Sequence, residues 1–271
     1  MRVLSWNLWW RYGPWEQRQQ AIAATLADVQ PDLCGFQEVW GGPGEGGPGQ
    51  NLAIDLAGRL GMHWCWAEAE KVGDEEDGSE LFIGNAILSR WPITAQAADA
   101  LPVTTSDEPR VALYAKIDTP GGALPMFTTH LTWGLGRSAL RVAQVRALAS
   151  FVADHCGGCT YPPVITGDFN AEPGSDELRL LGGLLADPAV PGLVLLDSWR
   201  YADPREPGFT WDLRNPYQDD SLIPNSRIDY ILVGLPWEGR GRVRSVQLAG
   251  NAPVRGIWPS DHFAVVADLH Q

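Results

Sequence analysis

Lysine is nearly missing from this chain. It stands only at Lys71 and Lys116, and no run of Lys or Arg occurs. Gly239-Arg240-Gly241-Arg242-Val243-Arg244 is the nearest approach, and it is short. The formal net charge is -13. A protein that holds nucleic acid mainly through its phosphates usually shows a basic patch. The acidity therefore argues against a general binder of long duplexes. It does not exclude phosphate chemistry, because a bound divalent cation changes the local field. Long apolar runs are missing too, so no membrane span is expected. Met1 to Asn7 has neither the charged-then-apolar pattern nor the small-residue cleavage site of a secretory leader. Cysteine is sparse: Cys34, Cys65, Cys156 and Cys159 cannot make a disulfide scaffold at this size. Cys156-Gly-Gly-Cys159 lies beside His155, but no second pair matches it as a zinc site would need. The four are expected to be free thiols in a reducing cytoplasm.

What is present is ordinary for a globular chain. Hydrophobic residues make up 45% and charged residues 20% of 271 positions. That length is ample for a sizeable core, and the reading is one domain over 1–271. Thirteen tryptophans are many, and several lie near polar motifs. Short apolar runs alternate with helical stretches. Strands are expected at 3–7, 33–38, 64–68, 86–88, 111–117, 124–129, within 162–173 from Val164, and near 228–233, 243–248 and 264–269. Helices are expected at 16–29, stopped by Pro31, at 51–60, ended by Gly61, at 138–155 and at 175–185. The segment 41–49, GGPGEGGPG, reads as a flexible loop: a mere insertion, or a rim over a site. The acidic segment 73–80 reads as solvated. Strands outnumber helices, which suits an α/β two-layer or sandwich domain.

The polar residues that close these runs carry the chemistry. The first strand ends in Trp6-Asn7 and the second in Gln37-Glu38. The run 124–129 leads into His130. Pro162 to Pro173 reads PPVITGDFNAEP, an apolar strand that surfaces in Asp168 and Asn170. Ser226-Arg227-Ile228-Asp229-Tyr230 and Pro259-Ser260-Asp261-His262-Phe263 complete the set. Any one of these is turn chemistry or a structural histidine. Six strand ends repeating Asn, Asp, Glu and His could meet on one rim. There they would offer oxygen ligands to a hard cation such as Mg²⁺, with carboxylates and histidines left for proton transfer and charge stabilisation. That chemistry points to phosphoester hydrolysis by a metal-positioned water.

In this order, Trp6-Asn7, Gln37-Glu38, Thr129-His130-Leu131, Gly167-Asp168-Phe169-Asn170, Arg227-Ile228-Asp229-Tyr230 and Ser260-Asp261-His262 resemble the motifs of the endonuclease/exonuclease/phosphatase superfamily. The resemblance runs from residue 3 to residue 269. It implies a four-layer α/β sandwich: two packed, mostly antiparallel sheets flanked by helices, with the site at one end. It implies Glu38 as the principal Mg²⁺ ligand, Asn7 and Asp261 nearby, and Mn²⁺ as a substitute ion. It implies Asp168 as the residue that orients or deprotonates water, and Asn170 and His130 as phosphate contacts. His262 would stabilise charge on phosphorus, held in its tautomer by Asp229. Asn85 and Arg110 fall where supporting polar residues stand in the family.

The substrate is less legible. AP endonucleases carry a tyrosine where Thr129-His130 stands, so that branch is disfavoured. His130-Leu131-Thr132-Trp133 with Arg141 and Gln144, and Phe209-Thr210-Trp211-Asp212, look somewhat like the tyrosyl-DNA phosphodiesterase branch; sphingomyelinase-type members share His130. Trp211 could stack on a base or aryl group, or be a core-edge aromatic. Three readings stay open: a Mg²⁺-dependent phosphodiesterase or phosphatase on a small molecule or nucleic-acid end, a DNA or RNA nuclease, and a catalytically silent binding module. A basic groove would favour the nuclease and an acidic rim would weigh against it. No obligate protein partner is evident.

Overall fold

A computed structural model describes residues 1–44, 47–74, 78–218, 222–236 and 238–271. The first sheet contains β1 (Arg2–Asn7), β2 (Leu33–Gly44), β3 (Gly47–Asn51), β4 (His63–Asp74), β5 (Glu80–Ser89), β12 (Val243–Ala249) and β13 (Ala264–Leu269). Its order is β12-β13-β1-β2-β5-β4, with β3 paired to β2. The second contains β6 (Ile93–Leu101), β7 (Arg110–Thr119), β8 (Gly122–His130), β9 (Val164–Asp168), β10 (Leu195–Asp197) and β11 (Asp229–Gly234), in the order β10-β11-β9-β8-β7-β6. Each sheet is antiparallel except for one pair: β1 with β2, and β8 with β9. Parallel neighbours need a crossover, and helices supply it. α1 (Trp15–Val29) joins the first pair and α3 (Ser138–His155) the second.

The two sheets face each other across Val3, Leu33, Ile87, Leu113, Met126, Val164 and Val265, all buried. α1 and α2 (Leu52–Leu60) cover the outer face of the first sheet, around Leu4, Phe36 and Leu88. α3 and α4 (Asp176–Leu181) cover that of the second, around Phe127, Ile165 and Leu232. The expected four layers are present. α2 follows its sequence signals closely: Asn51 Oδ1 accepts the Ile54 N–H, and Gly61 closes the helix at φ 65°.

Toward one end the interface between sheets turns polar and tight. Gly167 N–H donates to Ser5 Oγ at 3.0 Å, and Gln37 Nε2 to Thr128 Oγ1 at 2.8 Å. A Cβ on Gly35 would stand 1.8 Å from Thr166 Oγ1. Gly35→Ala should therefore force the sheets apart and cost roughly 1–3 kcal/mol, read as a lower urea midpoint. An unchanged midpoint would contradict this packing.

Two expectations need correction, and one further strand, β6, lies outside the expected ones. Segment 41–49 is not a free loop over its described part: β2 runs on to Gly44 and pairs back with β3, Gly41 opposite Asn51 and Gly42 opposite Gln50. Backbone ladder bonds do not need side chains, so a Gly-rich stretch can carry them. Residues 45 and 46 lie outside the described residues, as do 75–77 of the acidic segment, whose flanks belong to the long pair β4–β5. The helix expected at 175–185 stops at Leu181. β6 carries no periodic signal because it is an Ala-rich edge strand, exposed along most of its length.

Candidate active site

The two parallel pairs place the site. Their carboxyl ends lie at the same end of the facing sheets. Asn7 pairs with Gln37 there in one sheet, and His130 pairs with Asp168 in the other. Asp229 is the antiparallel neighbour of Asp168, so His130, Asp168 and Asp229 form one row across three strands. Gln37, next to Glu38, also points into the intersheet layer, where it bonds Thr128, so strand alternation is broken at this pair. Glu38 is turned toward the site by a bulge. The register of β2 on β5 skips from Phe36 to Val39, and Glu38 takes φ 50°. Asn170 stands in the same left-handed region, at φ 47°. A non-glycine residue held there costs free energy that the surroundings must offset.

Asn7 is the link between sheets. Its Nδ2 lies 3.1 Å from Glu38 Oε1 and 3.1 Å from Asp168 Oδ2. Its Oδ1 accepts the Trp9 N–H at 2.9 Å, which fixes the amide orientation. Asp168 Oδ1 accepts the Asn170 N–H at 2.9 Å. Asp168 Oδ2 therefore faces the centre, 3.6 Å from His130 Nε2 and 3.8 Å from His262 Nε2. Burial and the neighbouring Asp229 push Asp168 up to about 7.

The two histidines are held in opposite states. His262 Nδ1 bonds Asp229 Oδ2 at 2.9 Å. Burial pushes His262 down, but Asp229, Asp261 and Asp168 outweigh it and hold the imidazole well above its usual range. His130 is driven well below that range by burial, by Arg110 and by His262. Arg110 Nη1 lies 3.1 Å from His130 Nδ1. A guanidinium only donates, so Nδ1 accepts and the neutral ring carries its proton on Nε2. That proton faces the Asp168 side. The Asn170 amide nitrogen, 3.1 Å from the same Nε2, is satisfied instead by Leu131 O at 3.1 Å.

Two groups of acids could hold a cation. Ligand atoms of Asp168, Asp229 and His262 lie within 4.8 Å of one another. The short His262–Asp229 bond argues against that set, since an imidazole that keeps both protons has no lone pair to give. Glu38 and Asp261 fit better. Burial and the charge of Asp168 push Glu38 up. Burial, and the charge of Glu38 against the pull of His262, leave Asp261 at about 7. Burial and repulsion from neighbouring carboxylates raise both carboxyls, a cost that a bound cation would relieve, and the donors are oxygens suited to a hard cation.

The Asp261 loop is tied to the Asn7 strand. Ser260 Oγ donates to Asn7 O at 2.7 Å, and Asn215 Nδ2 and Gln218 Nε2 hold the carbonyls of Ser260 and Asp261. Sequence reading missed Arg18, which completes this tie. It is 1% exposed, and its guanidinium reaches the carbonyls of Leu8, Trp9, Trp10, Tyr12 and Pro259. The signal was there: Arg18 falls on the buried face of α1 with Ala21, Ile22, Thr25 and Leu26.

Above these groups opens a cleft of about 590 Å³. Glu38, His130, Asp168, Asn170, Asp261 and His262 line it; Asn7 and Asp229 lie buried beneath. Asn85, Arg110 and Trp211 line it too. Asn85 spends its Nδ2 on Val111 O, and Arg110 bonds Glu108 at 2.6 Å. Trp211 is partly buried and stands edge-on to His262, ring centroids 5.1 Å apart at 76°. Every candidate site residue named from the sequence thus lies at this one end of the molecule.

Comparison with known proteins agrees with this geometry. Residues 4–262 match the Endonuclease/Exonuclease/phosphatase family. Protein angel of Drosophila melanogaster is 25% identical over 93% of this chain and 71% of that protein. The catalytic domain of human Nocturnin, solved with a bound sulfate anion, is 20% identical with a TM-score of 0.70, covering 100% of this chain and 94% of that one. A mannosyl-6-phosphatase of Bacteroides thetaiotaomicron is 20% identical with a TM-score of 0.69, and both chains are covered completely, 100% each.

Proposed function

The chain belongs to the Endonuclease/Exonuclease/phosphatase family, and from that premise we propose that it is a Mg²⁺-dependent phosphoester hydrolase, a phosphodiesterase ahead of a monoesterase. One observation carries this reading: Asn7 joins Glu38 of one sheet to Asp168 of the other, with His262 facing the same Asp168 oxygen.

In this proposal Glu38 and Asp261 hold the cation. We assign Asn7 to the carboxylates rather than to the ion, because its nitrogen and not its oxygen faces them. A divalent cation bound there supplies Lewis acidity to a phosphoryl oxygen; Mg²⁺ is the natural choice and Mn²⁺ a substitute. Asp168 Oδ2 orients the attacking water and takes its proton. His262, its Nδ1 held by Asp229, presents Nε2–H to the charge that develops on the phosphoryl group. His130 and Asn170 contact phosphate oxygens, and Arg110 keeps the His130 proton on Nε2. Asn85 and Trp211 contact the substrate from the wall. The reading places the enzyme in the cytoplasm, where the unpaired thiols of Cys34, Cys65, Cys156 and Cys159 would stay reduced.

The nuclease reading is weakened by the cleft wall, where Glu70, Glu108, Glu172 and Glu177 outnumber Arg110 and Arg141. The silent-module reading has no lost position to rest on.

Bis-p-nitrophenyl phosphate and p-nitrophenyl phosphate test the proposal. Diester turnover should vanish in EDTA, return with Mg²⁺ or Mn²⁺, and fall roughly 10²-fold or more in Glu38→Ala. Turnover indifferent to EDTA and to Glu38 would overturn it.

A further inference from the structure

Outside the reacting floor, the cleft wall has an unusual make-up. Its acids are Glu70, Glu108, Glu172 and Glu177, and its cations are Arg110 and Arg141. Neither cation stands ready for a second phosphate. Arg110 pairs with Glu108 at 2.6 Å and with His130 at 3.1 Å. Arg141 pairs with Glu177 at 2.9 Å, and both are buried. A chain of phosphates leaving the reacting centre would meet net negative charge along this wall. Polyanion sites show the opposite balance.

Part of the rim is apolar and displayed. Tyr12, Trp133 and Leu135 all line the cleft and are 49%, 61% and 80% exposed. Scattered exposed apolar residues are normal, but a cluster at the mouth of a cleft marks a binding surface. This one is also built rigidly. Arg141 Nη1 donates to Thr132 O at 3.2 Å and to Gly134 O at 2.7 Å, on either side of Trp133. Gln144 Oε1 accepts the Thr132 N–H at 3.0 Å, and its Nε2 donates to Thr132 Oγ1 at 2.7 Å and Pro102 O at 2.9 Å. Two buried polar side chains of α3 are thus spent on holding one short loop, whose own Trp and Leu point at solvent. A preorganised apolar platform costs a ligand little ordering entropy.

We infer that the site takes phosphoesters whose substituent beyond the single phosphate is uncharged and apolar-faced, aryl or alkyl, and that it discriminates against oligonucleotides. Trp133 and Leu135 are the residues that set this preference. Tyr12, from the loop after β1, lines the same cleft, whose volume of about 590 Å³ suits one small molecule. The inference rests on the phosphoester-hydrolase reading and adds the substrate class to it.

The test keeps the leaving group constant. Methyl, phenyl and 2-naphthyl esters of p-nitrophenyl phosphate all release p-nitrophenolate, so differences in kcat/KM, corrected for each ester's uncatalysed rate, report the substituent. A short oligothymidylate supplies the polyanion arm, with product followed by chromatography. The naphthyl ester should exceed the methyl ester at least about tenfold, the scale expected for burying several apolar carbons. In Trp133→Ala/Leu135→Asp that ratio should collapse toward one. Both positions are exposed, so the variant's fold is not at risk, and its circular dichroism spectrum should match the wild type. Oligothymidylate should be cleaved at least about 10²-fold less efficiently than the naphthyl ester. Equal rates on all three esters with Glu38-dependent turnover, an unchanged ratio in the double variant, or efficient cleavage of oligothymidylate would each overturn this inference and leave the hydrolase standing. No Glu38-dependent turnover of any substrate would overturn both.

Discussion

Asp168→Asn should leave the fold intact and lower kcat on a phosphodiester roughly 10³-fold, within the range for loss of a positioned base. The side chains are nearly isosteric. The Asn170 N–H would still find an acceptor where Oδ1 stands, so the left-handed turn at Asn170 keeps its anchor. At Oδ2 the change is chemical. That oxygen takes the Asn7 amide and faces both histidines. An amide nitrogen there cannot accept a proton from water, and it sets donor against donor at Asn7. Stability should not suffer in proportion. Burial already pushes the Asp168 carboxyl upward, so its ionised form costs the folded state free energy, which the neutral amide avoids. The pair of outcomes is what matters: a much slower enzyme with an unfolding midpoint at or above the wild type. A kcat within tenfold of the wild type would remove Asp168 from the reaction. A midpoint far below it would recast the residue as structural.

Why could this much of the site be read from sequence? Its residues are strand ends, and strand ends announce themselves. Val3-Leu4 before Asn7 and Val164-Ile165 before Asp168 are apolar runs broken by one polar residue, the mark of a core strand reaching a sheet rim. The chain order of the motifs then carried the fold, because β1–α1–β2 and β8–α3–β9 are each compact crossover units. What stayed hidden depends on partners distant in sequence. Nothing near Asn7 shows that its oxygen is taken by Trp9 and its nitrogen turned to the acids. Nothing near Glu70 or Glu172 places them on the wall of the same cleft. β6 pairs along β7 at the sheet edge, and its exposed alanines carry no periodicity to read. The Gly-rich arm of β2 misled for a related reason: composition signals freedom of the backbone, while pairing with β3 removes it.

Arg18 shows the same limit with the largest expected effect on stability. Its guanidinium has five N–H groups, and the fold supplies five carbonyls: Tyr12 for Nε, Leu8 and Pro259 for Nη1, Trp9 and Trp10 for Nη2. Burial lowers it to about 10, against the pull of Asp261 and Glu38. The indole of Trp9 lies 4.7 Å from its centre and covers it further. Four of the carbonyls belong to the loop that leaves Asn7; the fifth lies two residues before Asp261. Arg18 thus fixes the distance between the two halves of the acidic site without touching it. Arg18→Met fills the space but takes the side-chain donor from all five carbonyls; those of Leu8 and Pro259 are buried, while Trp9 O keeps the Tyr12 N–H. At roughly 1–3 kcal/mol for each acceptor that water cannot reach, and with some of this loop open to solvent, a loss of about 3–5 kcal/mol is expected. Urea unfolding would read it directly. Arg18→Lys separates charge from geometry. It restores the cation but offers three donors, so it should recover part of the stability and little of the activity. A lysine variant with full activity would mean that the buried charge, and not the five-way hydrogen bonding, is what the site requires of this position.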